Sequence, residues 1–184
     1  MTSRELIFLK PDAIENKLVG KIIARLEEAS FAIVRMKKGR ISADIAMELY
    51  PDSETQLVGM GNKTLKAMTD KGQTELIPKL FGTTDPKGIG IELNKWNRAF
   101  ATSAEVVAMV LEKKDAADAP TMVRTLVGAT DPARADKGTI RGDFSKDAIY
   151  QANLEKRAVK NLIHASDADR AEIEIKLFED KFFK

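Results

Sequence analysis

EVVAMVL, Glu105 to Leu111, is a near-continuous apolar run of strand length, and reading it as a β-strand decides what the chain folds into. A helix from about Ala116 to Val127 follows it. Nearer the start, Glu5 to Leu9 is short, apolar and stopped by Lys10-Pro11. Proline disfavours helix at the residue before it and removes a ladder donor, so this is a buried strand with a basic residue at its exit. Val19, Ile22, Ile23, Leu26 and Ala29 then fall at helical spacing, with Lys21, Arg25, Glu27 and Glu28 on the other side. That pattern is an amphipathic helix covering the strand. Phe31 to Ile41, rich in β-formers and then basic, reads as a second strand, and Ala43 to Leu49, after a Ser42 cap, as a short helix. Val159 to Ala165 reads as the last strand and Asp167 to Phe178 as the last main helix.

The order is strand, helix, strand, strand, helix, strand. It predicts an α+β, ferredoxin-like βαββαβ antiparallel sheet with helices on one face and helical insertions. Pro51 to Phe100 lies outside that skeleton, with three prolines, scattered glycines and helical patches at Lys63–Met68 and Ile91–Phe100. At about 50 residues it is near the lower limit for a self-sufficient core, so it is expected to be an insertion within one domain spanning 1–184. Ser145 to Lys160, polar and loop-like, is a smaller one.

Composition narrows the function. With 184 residues, 43% hydrophobic and 32% charged, the chain can bury a full core. Thirty basic against 28 acidic residues leave a formal charge of +2, so any anion must be held locally rather than by a general positive field. No cysteine is present, which removes disulfides, thiolate metal sites and cysteine nucleophiles and fits a reducing compartment. The apolar LIFL near the start is too short for a secretory core or a membrane span, so a cytoplasmic protein without membrane contact is expected.

Gly20-Lys21 is followed by Ile22 and lacks the spacing of a P-loop, and one histidine without cysteine cannot build the usual zinc sites. Lys10, Arg124, Thr130, Thr139 and Arg141 remain, close to element ends. Each has an ordinary reading: Lys10 as a solvated strand end, Arg124 as a helix-surface charge, Arg141 as a salt-bridge partner of Asp143. The lone His164 would by itself be a surface or hydrogen-bonded side chain. Together they supply what phosphoryl transfer needs, positive charge around the moving group and an imidazole able to attack phosphorus.

LKPDA at 9–13, LVGKII at 18–23, VVAMVL at 106–111, VGATDPARADKGTIRGDF at 127–144 and NLIHASD at 161–167 closely resemble nucleoside diphosphate kinase, in an archaeal-type variant with a long insert. The resemblance implies phosphate exchange between nucleoside triphosphates and diphosphates by a ping-pong route through a phosphohistidine. It makes His164 the nucleophile, Glu174 the glutamate that orients it and Ser166 the adjacent serine. Ser166 could also cap the helix that follows, with Asp169 at the capping-box position. Lys10, Tyr50, Arg124, Thr130 and Arg141 match positions that bind the nucleotide phosphates and assist transfer, and Asn161 the one at the sugar. Mg²⁺ is implied as arriving with the nucleotide, and a homo-oligomer, usually a hexamer, with Thr130–Lys137 contributing to subunit contacts.

Two departures stand out. Leu93 and Asn97 fall where Phe and Leu are expected under the base, with Phe81, Trp96 and Phe100 as spare aromatics, and Ser103-Ala104-Glu105 replaces Ser-Gly-Pro. The competing reading is a non-catalytic, nucleotide- or phosphate-binding ferredoxin-like regulatory module, which would not need Glu174 behind His164. Specific nucleic-acid binding is not expected, because the strands offer Phe8 and Phe31 without the aromatic alternation of RNA-binding sheets. The tail Phe178–Lys184 is amphipathic and expected to dock on a neighbouring surface.

Overall fold

The computed structural model describes residues 2–184. In chain order the elements are β1 (Thr2–Leu9), α1 (Pro11–Glu15), α2 (Val19–Glu28), β2 (Ala32–Arg40), α3 (Ala43–Leu49), α4 (Glu54–Asp70), α5 (Ile77–Phe81) and α6 (Pro86–Ser103). There follow β3 (Glu105–Lys114), α7 (Ala119–Val127), α8 (Ile140–Phe144), α9 (Ile149–Leu154), β4 (Ile163–Ala165) and α10 (Ala171–Lys181). The four strands pair antiparallel in the order β2-β3-β1-β4, the ferredoxin-like arrangement expected from βαββαβ.

β1 and β3 are central and covered on both sides, which is why they read as unbroken apolar runs rather than alternating ones. Ile7, Leu9, Val107, Met109 and Leu111 share one core with Ile22 and Leu26 of α2 and Val123 and Val127 of α7. Those two skeletal helices lie on one face, as expected. The opposite face is not open: Leu6, Phe8, Val106, Ala108 and Val110 are covered by Ile45 and Leu49 of α3 and Ile175 and Phe178 of α10. The tail docks there too, with Phe182 and Phe183 against Phe178 at ring separations of 5.3 and 6.1 Å.

β4 is shorter than the expected Val159–Ala165 strand. Only Ile163–Ala165 pair with β1, because Leu162 adopts φ +70° and Ile163 N–H turns back to the Asn161 carbonyl at 2.8 Å, a γ-turn that ends the ladder. The polar 145–160 stretch is likewise not all loop, since α9 lies within it.

Residues 51–100 form a helical hairpin, α4 against α6, around Met68, Ile77, Phe81 and Ile89. The helices approach closely where they carry glycine. A Cβ on Gly61 would lie 2.0 Å from the Pro86 carbonyl oxygen, and one on Gly90 2.1 Å from that of Leu57. Gly90→Ala is expected to destabilise the protein by about 1–3 kcal/mol, since backbone must move to admit the methyl. Thermal unfolding would show this as a Tm several degrees lower, and an unchanged Tm would disprove the tight crossing.

Candidate active site

The γ-turn at Leu162 positions the site. Its N–H donates to Asp12 Oδ2 at 2.9 Å and its carbonyl accepts from the Lys10 N–H at 2.8 Å, so the start of α1 clasps the entry to β4. The Lys10 ammonium, at the exit of β1, donates to Asn161 Oδ1 at 2.8 Å, and Asn161 Nδ2 donates to the Thr130 carbonyl at 2.9 Å. Lys10 is only 7% exposed, which rules out the solvated strand end. Burial, and then the charge of Arg141, push its ammonium down to about 8, against a partly offsetting Asp12.

Arg141 does not pair with Asp143, whose carboxylate takes Arg25 at 2.9 Å. Its guanidinium donates instead to the carbonyls of Asn161 (3.1 Å), Gly128 (3.0 Å) and Ile163 (2.7 Å). Burial, and then Arg124, lower its pKa to about 10, leaving it cationic at neutral pH. Arg124, on the last turn of α7, is half-exposed and paired with Asp167.

His164 stands in β4 opposite Phe8, on which its ring stacks at 4.8 Å; Tyr50 meets it edge-on at 5.9 Å. Its Nε2 lies 2.8 Å from Glu174 Oε2. That same oxygen accepts from Ser166 Oγ at 2.6 Å, while Arg170 donates to Glu174 Oε1 at 3.0 Å. Burial pushes the Glu174 carboxyl up, but His164, Ser166 and Arg170 together outweigh it and hold the group below its usual value. An ionised Glu174 can only accept, so Nε2 carries a proton toward it, and in the neutral imidazole Nδ1 keeps its lone pair. Ser166 is not a helix cap: it is fully buried, and α10 begins only at Ala171.

A cavity of about 400 Å³ joins these groups. Lys10, Tyr50, Arg124, Thr130, Arg141, Asn161, His164 and Glu174 line it, with Ser166 behind Glu174. Thr139 does not reach it; its hydroxyl caps α8 by accepting the Gly142 N–H. The opposite wall is the α4–α6 hairpin, through Met60, Lys63, Leu93 and Asn97. Lys63, 3.5 Å from Thr130 Oγ1, was not picked out from the sequence, where it begins a helical patch with no motif around it. Leu93 and Asn97 do face the cavity; Phe81, Trp96 and Phe100 do not, and Phe81 and Trp96 pack on each other at 5.5 Å. Lys10, Lys63, Arg124 and Arg141 thus share one cavity with the imidazole of His164, an arrangement suited to moving a phosphoryl group.

The family model for nucleoside diphosphate kinase matches residues 3–87 and 95–182. A nucleoside diphosphate kinase of Pyrobaculum aerophilum is 41% identical over 177 residues, covering 95% of this chain and 93% of that protein. One from Methanocaldococcus jannaschii is 34% identical over 186 residues, with 100% and 99% covered. Among solved structures, an NDP kinase from Pyrobaculum aerophilum superposes with a TM-score of 0.88 at 37% identity over 100% of both chains. A halophilic nucleoside diphosphate kinase from Halobacterium salinarum, in complex with CDP, does so at 0.61 and 29%, covering 100% of this chain and 91% of that one. A sheet of this topology, the cavity at its β4 edge and matches along almost the whole length agree: the chain belongs to the nucleoside diphosphate kinase family.

Proposed function

We propose that this chain carries the terminal phosphate of a nucleoside triphosphate to a nucleoside diphosphate on His164 Nδ1. The observation that carries this assignment is the 2.8 Å contact of Nε2 with the buried Glu174, which fixes the tautomer. The Nδ1 lone pair attacks the terminal phosphorus, an N–P bond forms, and the bridging P–O bond breaks with its electron pair leaving on the diphosphate. An incoming diphosphate oxygen then attacks the same phosphorus, and the N–P pair returns to the imidazole. Glu174 steadies the positive charge on the ring meanwhile.

Lys10, Arg124, Arg141 and Lys63 would counter the phosphate charge, with Thr130 and the Tyr50 hydroxyl as further polar contacts and Asn161 at the sugar. Burial, and then the charge of Glu174, push the Tyr50 phenol up and keep it a donor. The base would rest against Met60 and Leu93, apolar contacts that read no base edge, so several nucleotides are expected to serve. Among the described residues no cluster of His, Asp and Glu could hold a metal. Mg²⁺ would come with the nucleotide and supply charge neutralisation to its phosphates when bound.

The proposal extends to a cytoplasmic homo-oligomer, supported by exposed Val34 and Met36 on the edge strand β2; among the described residues no helix is long and apolar enough to cross a membrane. Incubation with ATP and Mg²⁺ should add one acid-labile phosphate to the intact mass, discharged by GDP. A folded protein that gains no phosphate would favour the non-catalytic binding module.

Lys10 adds a pH dependence. Charged below about 8, it loses its proton as pH rises through that value, so kcat/KM for ATP, which reports the free enzyme, is expected to fall on the alkaline side. In Lys10→Met the rate should be low and that limb absent; an unaltered limb would assign it to another group.

A further inference from the structure

We propose that Glu5 is a positioning residue for phosphoryl transfer: its carboxyl grips the Ser166 N–H and so sets the Ser166–Glu174–His164 chain. The inference rests on His164 being the nucleophile. Glu5 does not line the cavity and touches none of the reacting atoms. It is nevertheless fully buried, and the mechanism above gives it no task.

The geometry is specific. Pairing of β4 with β1 ends at Ala165 opposite Ile7. The next N–H, that of Ser166, lies 3.3 Å from the Leu6 carbonyl oxygen but only 2.6 Å from Glu5 Oε1. Glu5 thus holds the backbone at the point where the strand lets go. From the same residue Ser166 Oγ reaches Glu174 Oε2 at 2.6 Å, the oxygen that meets His164 Nε2. Three linked hydrogen bonds, through Ser166 and Glu174, join Glu5 to the imidazole, and each fixes a direction as well as a distance.

A carboxyl so placed works as a neutral group. Its other oxygen, Oε2, is buried without a partner. Glu174 on α10 and Asp167 beyond β4 repel a charge there, and Arg124 on α7, whose charge opposes them, is already paired with Asp167. Burial, and then Glu174, push the carboxyl up to about 9 in spite of the Ser166 N–H. Ionisation would set a second carboxylate beside Glu174 and loosen the chain that presents His164.

Glu5→Gln keeps an acceptor for the Ser166 N–H without an ionisable proton, whereas Glu5→Leu keeps the volume and removes the acceptor. Steady-state kinetics from pH 6 to 10 should show wild-type kcat for Glu5→Gln at neutral pH. Glu5→Leu should lose on the order of 10- to 100-fold in kcat with KM for both nucleotides unchanged, the scale of a misplaced reacting group. Above pH 9 Glu5→Gln should outperform wild type; Lys10 loses its charge in both, so the difference reports Glu5 alone. Glu5→Leu with wild-type kcat, or Glu5→Gln as poor as Glu5→Leu, overturns the proposal. Should Glu5→Leu not fold, coincident alkaline limbs in wild type and Glu5→Gln overturn it equally. Phosphate uptake by wild type, run alongside, separates the two readings: no adduct removes phosphoryl transfer itself, while an adduct with indifferent Glu5 variants removes only this inference.

Discussion

His164→Ala is expected to yield a folded protein that takes up no phosphate from ATP and turns over on the order of 10⁶-fold more slowly, the scale on which removing a covalent nucleophile acts. Folding should survive because the loss is local. The ring's stacking on Phe8 goes, but Glu174 retains Ser166 and Arg170 as donors and is not stranded as a lone buried charge. Circular dichroism together with intact mass after ATP would separate the two effects. A variant that still acquires an acid-labile phosphate would move the nucleophile elsewhere, and no second histidine exists to receive it.

Arg141→Ala is expected to fail in two ways at once. From the sequence, a substitution at this position or at Lys10 should reduce turnover far more than folding. The structure keeps that expectation for Lys10, which has one side-chain acceptor, and revises it for Arg141, which feeds three main-chain carbonyls. Their loss leaves buried acceptors unpaired at about 1–3 kcal/mol each, so a stability loss of roughly 3 kcal/mol or more should accompany a kcat loss of about 10²–10³-fold. Arg141→Lys, with its single nitrogen in place of a planar fork, should recover little of either. Urea unfolding beside steady-state kinetics tests this; a variant as stable as wild type would show those hydrogen bonds to be dispensable.

How much of this could be read from the chain depends on how local its causes are. β1, β3, α2 and α7 follow from apolar spacing because their partners only need to be apolar. β4 was overdrawn because its start is set by Asp12 and Lys10, about 150 residues away, and no local pattern encodes a positive φ at Leu162. α4 runs far beyond the Lys63–Met68 patch because Gly59 and Gly61 look like helix breakers, whereas Gly61 is the contact that lets α6 approach. The cavity residues came from motif resemblance rather than periodicity. Lys63 and Glu5 carry no motif, and their place is visible only once the hairpin and the sheet edge are assembled.

The clasp between α1 and the entry to β4 has a consequence for synthesis. A chain emerging from the ribosome presents Lys10 and Asp12 first, while their partners Asn161 and Leu162 follow after nearly the whole intervening sequence. Until then the open edge of β1 has neither its neighbouring strand nor its counter-groups, and a partial product holds two charged side chains with nothing to receive them. The nascent chain is therefore catalytically silent, and until β4 and α10 emerge it leaves uncovered both this sheet edge and the apolar face that carries Leu6 and Phe8.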